Sequence, residues 1–188
     1  MKNIAIFASG SGTNAQKIME YFEKDSNVQV SLILVNNPKA GVIQRAEKFD
    51  VPVIKFNRQQ FSHSDEIVDI LLSNQIDLVV LAGFLWLVPQ NMVTAFPNQI
   101  INIHPALLPK YGGKGMYGHR VHEAVIAAKE KESGITIHYV NEKYDEGNII
   151  AQYKCDISPT DTPDSLAGNI HKLEHQYFPK VIENILNS

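Results

Sequence analysis

Short apolar runs alternate with helical patterns along the first hundred residues of this chain. The apolar runs predict strands at residues 4–8, 28–35, 51–55 and 78–82. Between them, apolar side chains recur at helical spacing over residues 14–24, 40–49 and 65–72. Strands that are apolar on both faces and are separated by helices predict an α/β fold, a mostly parallel sheet with helices on both faces.

The pattern changes after residue 100. A fifth strand is predicted at residues 100–103 and a helix at 119–129, followed by consecutive strands at 134–140 and 148–156. We expect this C-terminal part of the sheet to be mixed or antiparallel. Thr162 followed by Pro163 predicts the start of a last helix, because a capping residue precedes proline at the first helical position. No repeat or low-complexity tract divides residues 1–188, so we expect a single domain.

Composition and charge argue against several classes of partner. The formal net charge is -3, so the chain lacks the basic character of a general nucleic-acid binder. No apolar run approaches the roughly 18 residues of a membrane span, and residues 4–8 are too short for a signal peptide. Cys155 is the only cysteine, which excludes an internal disulfide and suits the cytoplasm. Its alternating surroundings predict an inert strand residue.

A glycine-rich turn, Ser9-Gly-Ser-Gly-Thr-Asn14, joins the first predicted strand to the first helix. Glycines let the backbone approach a ligand, and the free N–H groups of a helix start favour an anion. The spacing also fits G-x-G-x-x-A, a loose dinucleotide fingerprint, which needs an acidic residue about 20 residues later. Residues 36–38 are Asn-Asn-Pro, and no acidic residue occurs between Asp25 and Glu47. The turn therefore favours a terminal phosphate over a dinucleotide or a purely structural role.

Two polar residues, Asn102 and His104, interrupt the apolar strand at residue 100 and share one of its faces. A buried amide and imidazole need partners, so they form either a satisfied core network or a ligand site at the end of a central strand. An imidazole that moves protons and an amide that donates to an oxyanion suit acyl transfer. Asp145, in a predicted turn, is the candidate carboxylate to hold His104. An exposed turn aspartate is the alternative, and His138 is expected to be structural or supporting.

Five segments together resemble the folate-dependent formyltransferases, in the order of that family and over nearly the whole chain. They are Ser9–Asn14, Leu81–Phe84, Asn102–Tyr111, Asp145–Gln152 and Glu174–Pro179. The Asn-x-His-Pro-x-Leu-Leu-Pro pattern is specific to the superfamily. The resemblance implies a Rossmann-like fold and a metal-free transferase that uses 10-formyltetrahydrofolate as co-substrate.

Within the family, the phosphate turn and Glu174 imply the branch that formylates phosphoribosylglycinamide in purine biosynthesis. The implied partners are that small molecule and the reduced folate. The alternatives are a 10-formyltetrahydrofolate hydrolase, a sugar-nucleotide formyltransferase, an NAD(P)-binding domain, or a non-catalytic domain that binds a phosphorylated ligand. The hydrolase carries an extra N-terminal domain and the methionyl-tRNA enzyme an extra C-terminal domain. We expect neither in this chain.

The resemblance also implies residue roles. Asn102, His104 and Asp145 would be catalytic, with Asn102 and a protonated His104 stabilising an oxyanion and Asp145 raising the pKa of His104. The substrate phosphate would be held by Gly12, Thr13 and Asn14, and the ribose or glycinamide part by Glu174. The folate would be bound by Asn102 and by two segments: Phe84, Leu85, Trp86, Leu87 and Val88, and Asn141, Glu142, Lys143, Tyr144 and Asp145.

Three features depart from the family pattern. The loop at residues 112–118 is long, Trp86 stands where arginine is common, and residues 61–64 lack an arginine that some members use near the folate tail. A separate pattern, His171-Lys-Leu-Glu-His175, matches the H-x-x-E-H zinc motif. Only Glu183 follows as an acidic third ligand, so we expect no metal there.

Overall fold

The computed structural model describes residues 1–188 and contains seven strands in one sheet. The strands are β1 (Lys2–Ala8), β2 (Val28–Val35), β3 (Val53–Lys55), β4 (Leu78–Leu81), β5 (Ile100–His104), β6 (Glu132–Tyr139) and β7 (Ile149–Asp156). Their order across the sheet is β3-β2-β1-β4-β5-β6-β7. The first five strands are parallel, and β6 and β7 are antiparallel to their neighbours. The predicted parallel sheet with an antiparallel C-terminal part is confirmed.

Seven helices accompany the sheet. They are α1 (Thr13–Phe22), α2 (Val42–Glu47), α3 (Arg58–Ser62), α4 (Glu66–Ser73), α5 (Gln90–Ala95), α6 (His119–Ala127) and α7 (Pro163–Asn187). The sequence did not predict α3 and α5, because helices of five and six residues are too short to show a clear helical period. The predicted helix at 40–49 and strand at 51–55 are both shorter than expected. No helix combines the length and the apolar character needed to cross a membrane.

The central strand β1 is buried on both faces. Ile4 and Ile6 belong to the apolar core under α1, α2, α6 and α7, whereas Ala5 and Phe7 belong to the core under α3, α4 and α5. All four side chains have no exposed surface. This alternation within one apolar run explains why the strand shows no polar face in the sequence.

The order of the strands reverses at β1. The chain passes from β1 to β2 and β3 on one side and then returns to place β4 on the other side. At such a reversal the connections diverge and leave a crevice at the carboxyl ends of the strands. Here β1 leads into the glycine turn, β4 leads into residues 83–88, and β5 ends at His104.

Thr136 fixes the chain where it leaves β5. Its buried hydroxyl donates to the Ala106 carbonyl at 2.7 Å and accepts from the Leu108 N–H at 3.0 Å. It also accepts from Gln152 Nε2 at 2.9 Å, so the hydroxyl uses its whole hydrogen-bonding capacity. Because Thr136 pairs with His104 across β5 and β6, these bonds hold the segment that follows the candidate catalytic histidine.

Thr136→Val keeps the shape of the side chain and removes all three hydrogen bonds. We expect it to lower the free energy of unfolding by about 1–3 kcal/mol, because buried backbone groups lose their partner. Thr94→Val, at an exposed position in α5, is the control and should change it by less than about 0.5 kcal/mol. Urea unfolding measures both, and equal stabilities of the two variants would contradict the assigned role of Thr136.

Candidate active site

A cleft of about 590 Å³ opens at the carboxyl ends of β1, β4 and β5, a size typical of small-molecule sites. Its walls come from the glycine turn at residues 9–14 and from residues 81–88, 102–105, 113–118 and 143–145. Further walls come from Arg120 and His122 of α6, from His138 and Val140, and from His171 and Glu174 of α7. Of the predicted site residues, only Asn141 and Glu142 do not line this cleft. The Glu142 carboxylate instead accepts a hydrogen bond from Gln90 at 3.1 Å.

The Asp145 carboxylate lies at the centre of the polar part of the cleft. Its Oδ2 is 3.5 Å from His104 Nδ1, and its Oδ1 is 3.6 Å from His138 Nε2. The Gly113 N–H donates to Oδ2 at 2.9 Å. With its side chain 11% exposed, Asp145 is not the exposed turn aspartate considered as an alternative.

Two features of the turn after β6 bring Asp145 to this position. Asp145 has a left-handed backbone conformation with φ of 56°, which turns its side chain back over the sheet. Gly147 follows it, and a β-carbon there would lie 1.7 Å from the Tyr139 carbonyl oxygen. The turn can therefore pack against the end of β6 only with glycine at this position.

Asn102 and His138 form a pair across β5 and β6. Asn102 Nδ2 lies 3.1 Å from His138 Nε2 and 3.5 Å from Asp145 Oδ1. His138 is buried, and its Nδ1 lies 2.8 Å from the Tyr139 carbonyl oxygen. The amide, the carboxylate and two imidazoles thus lie together, with Asp145 between Asn102 and His104.

Burial and two polar neighbours set the pKa of His104 in the resting protein. Burial lowers its pKa, while the Asp145 carboxylate and the Tyr111 carbonyl, 2.7 Å from Nε2, act in the opposite direction. Burial is the largest effect, so the pKa falls below its ordinary value of 6.5. The expected protonated His104 belongs to the stage at which an oxyanion forms, so it stays a prediction. The attraction to Asp145 exists, but it does not overcome the cost of charging a buried ring.

Asp145 remains charged beside this neutral ring. Burial raises its pKa, but the hydrogen bond from His138, the charge that His104 carries when protonated at low pH, and the Gly113 N–H outweigh burial and leave the pKa below its usual range. At neutral pH the resting site therefore combines an uncharged imidazole with a carboxylate. Such a pair can accept a proton, and it gains an ion pair when it does.

The opposite end of the cleft is built around the start of α1. Gly12 caps this helix with φ of 76° and no side chain caps it, so the first N–H groups stay available to an anion. A β-carbon on Gly12 would lie 2.4 Å from the Val42 side chain. Asn14 Nδ2 donates to Glu174 at 2.8 Å, and burial raises the pKa of Glu174 although this bond opposes it.

The segment after β4 alternates between half-buried and exposed side chains. Phe84 and Trp86 pack in an aromatic cluster, where Phe84 lies 5.3 Å from Phe61 between ring centroids. Leu85 and Leu87 are 45% and 38% exposed. All four side chains line the cleft, with the two leucines more exposed than the two half-buried aromatic rings.

The H-x-x-E-H pattern on α7 does not assemble a metal site. The His171 and His175 rings stack with centroids 6.1 Å apart, but only His171 lines the cleft. No group of three or more histidine, cysteine, aspartate or glutamate side chains is placed to hold a metal ion.

Sequence reasoning missed three groups of this site. The Gly113 N–H and the Tyr111 carbonyl are backbone groups, which leave no signature in a sequence. His122, on α6, lines the cleft although it is only 3% exposed. The sequence did carry a signal for His122, since it lies on the same apolar helix face as Val121 and Val125. A histidine at such a position is buried, and a buried histidine needs a polar partner.

A family model described as "Formyl transferase" matches residues 2–182 of the chain. Phosphoribosylglycinamide formyltransferase of Bacillus subtilis is 36% identical over 191 residues, which cover 99% of this chain and 95% of that protein. The crystal structure of glycinamide ribonucleotide transformylase 1 from Geobacillus kaustophilus superposes with a TM-score of 0.89 at 36% identity. That match covers 99% of each chain.

Plant relatives are longer than this chain. Chloroplastic phosphoribosylglycinamide formyltransferase of Arabidopsis thaliana is 42% identical over 187 residues, covering 96% of this chain and 64% of the plant protein. The chain likewise spans 60% of the corresponding Vigna unguiculata protein, at 40% identity. The similarity therefore covers nearly all of this chain but less than two thirds of these relatives.

The titration of His104 tests the electrostatic balance of the site. In the free protein we expect His104 to titrate below its ordinary pKa of 6.5, because burial outweighs the nearby carboxylate. In Asp145→Asn the pKa should fall further, since the charge that opposes burial is gone. Imidazole NMR signals followed from pH 4 to 8 measure both values. A pKa above 6.5 in the free protein, or an upward shift in Asp145→Asn, would contradict this balance.

Proposed function

Because the chain belongs to the formyl transferase family, we propose that it transfers the formyl group of 10-formyltetrahydrofolate to the primary amine of phosphoribosylglycinamide. The observation that carries this proposal is the composition of one cleft. An anion-binding helix start lies at one end, and Asn102, His104 and Asp145 converge at the other. A phosphorylated amine would need both ends, because the helix start would hold its phosphate and the three polar side chains would act where its amine reacts.

The substrate phosphate would bind at the start of α1. The N–H groups of Gly12, Thr13 and Asn14 lie at the positive end of the helix dipole, where a dianion is stabilised. Glu174, held by Asn14, would accept hydrogen bonds from the ribose or from the glycinamide part. This arrangement directs the amine away from the phosphate and towards His104.

The co-substrate supplies the formyl carbon that the amine attacks. The formyl oxygen becomes an oxyanion, and Asn102 and His104 would donate hydrogen bonds to it. His104 must exchange the Tyr111 carbonyl for this oxygen, because its Nε2 is engaged with that carbonyl at rest. As negative charge develops on the substrate, a proton on the imidazole becomes favourable, and the Asp145 carboxylate stabilises the resulting imidazolium.

Asn102 must present its NH2 group to the cleft in order to donate. Its Nδ2 carries two N–H groups and lies 3.1 Å from His138 Nε2 and 3.5 Å from Asp145 Oδ1. His138 Nδ1 lies 2.8 Å from the Tyr139 carbonyl, which can only accept, so the Nε2 of a neutral His138 accepts one Asn102 N–H and the other would donate to the oxyanion. His138 thus acts as a positioning residue for Asn102.

Asp145 would take part in transferring the proton of the attacking amine. The new C–N bond leaves an extra proton on the amine nitrogen, and this proton would pass by way of Asp145, directly or through a water molecule, to the His104 imidazole, which becomes the imidazolium. The bond between the formyl carbon and the folate nitrogen then breaks, and the proton is returned to that nitrogen. The transfer therefore needs no metal and no net change of charge at the site.

The folate would bind along Leu85, Leu87 and the loop at residues 141–145. The exposed leucines offer apolar surface to a flat ring, and the neighbouring backbone offers hydrogen bonds. Phe84, Trp86 and Val88 would support this wall from below, whereas Asn141 and Glu142 would act only through the loop backbone. Residues 1–188 act as one catalytic domain in this proposal, and the single free cysteine suits the cytoplasm.

We expect Asn102→Ala and His104→Ala to fold and to lose roughly 100-fold or more in kcat, the usual effect of removing one oxyanion donor. Lys24→Ala, exposed and outside the cleft, is the control and should retain activity. The assay follows formylation of phosphoribosylglycinamide by 10-formyltetrahydrofolate. Near-normal turnover in both cleft variants would overturn the catalytic assignment.

The same assay separates the alternative functions. Formate release without any acceptor amine would indicate a hydrolase, and formylation of an amino sugar nucleotide in preference to phosphoribosylglycinamide would indicate the sugar-nucleotide branch. Wild-type protein that formylates no amine and releases no formate would overturn the proposed function itself.

A further inference from the structure

His122 is a buried side chain that the proposed mechanism does not use. It lies on α6, is 3% exposed and lines the cleft. Its Nδ1 is buried and has no hydrogen-bond partner. An unpaired buried nitrogen costs free energy in the empty protein, so a partner that arrives with a ligand would explain its presence.

The position of His122 within the cleft identifies the part of the substrate that it meets. His122, His104, His171 and Glu174 all line the same cleft. Glu174 in turn is bonded to Asn14 at the start of α1. His122 thus shares one cleft with the phosphate end, through Glu174, and with the catalytic end, through His104.

A neutral imidazole is the form that such a position requires. Burial lowers the pKa of His122 to about 4, and the neighbouring His171, His119 and His104 lower it as well. The neutral ring can accept at one nitrogen and donate at the other. It therefore suits a hydroxyl or an amide and offers little attraction to a phosphate. Asn14 Oδ1 is a second buried atom of the cleft without a partner, which points to further polar groups on the ligand.

We propose that His122 is a substrate-positioning residue whose Nδ1 hydrogen-bonds the ribosylglycinamide part of the substrate, between the phosphate and the attacking amine. This inference rests on the proposed function. Through His122, α6 would fix the distance between the bound phosphate and the amine, so that the amine lies close to Asn102 and His104. The folate and the phosphate do not contact His122 in this arrangement.

Two substitutions separate positioning from packing. His122→Leu fills the same space without a polar atom, and His122→Asn keeps a polar group close to the place of Nδ1. His119→Leu, on the same helix but exposed and outside the cleft, is the control. Calorimetric titration with phosphoribosylglycinamide gives its Kd, and steady-state assays give the KM of the folate and the inhibition constant of inorganic phosphate.

For His122→Leu we expect the Kd of phosphoribosylglycinamide to rise about tenfold, the usual effect of one lost hydrogen bond that leaves a polar group unpaired. The folate KM and the phosphate inhibition constant should stay within about twofold, and His122→Asn should recover most of the affinity. Without ligand, His122→Leu should be at least as stable as the wild type, because it removes an unpaired buried nitrogen.

Three results would overturn the inference. These are an unchanged Kd in His122→Leu, equal weakening of folate and phosphoribosylglycinamide, and a destabilised free protein with no recovery in His122→Asn. The titration does not depend on turnover. A wild type that binds phosphoribosylglycinamide but formylates nothing would overturn the proposed function while still testing His122, and a wild type that does not bind it would overturn both.

Discussion

The reversal of strand order at β1 is the constraint on which the rest of this molecule depends. Because β2 and β4 lie on opposite sides of β1, the loops that follow β1 and β4 separate and leave a crevice between them. The core makes this reversal rigid, since β1 is buried on both faces. Every group that the proposed chemistry needs then lies at one edge of the sheet, at a fixed distance from the start of α1.

Within that crevice, one buried carboxylate organises the polar groups. Asp145 is surrounded by His104, His138, Asn102 and the Gly113 N–H, which together offset the cost of keeping a charge away from water. His104 stays neutral beside it because the burial of the ring outweighs the attraction. The site is therefore prepared for a proton rather than already holding one. This suits a reaction in which negative charge appears only after the amine has attacked.

The architecture was predictable from the sequence because each strand and long helix carries its own periodic signal. The apolar runs at residues 4–8, 28–35 and 78–82 matched strands of the sheet, and Thr162 and Pro163 marked the start of α7. Helices α3 and α5 escaped prediction because they are too short to complete a pattern. The candidate residues could be named from their chemistry and from the resemblance to a family.

Other properties of the site could not be predicted, since they depend on three-dimensional surroundings. The direction of the His104 pKa is decided by burial, which a sequence does not show. The apolar segment after β4 could be assigned to the cleft, but only the structure separates the exposed Leu85 and Leu87 from the half-buried Phe84 and Trp86. Backbone contacts such as the Tyr111 carbonyl on His104 leave no sequence signal at all.

The most direct test of the whole account is a crystal structure of the protein with phosphoribosylglycinamide and a nonreactive folate analogue. It should place the phosphate on the N–H groups of Gly12 to Asn14 and the amine within hydrogen-bonding reach of His104 or Asp145. A phosphate bound away from α1, or an amine pointing away from Asp145, would contradict it.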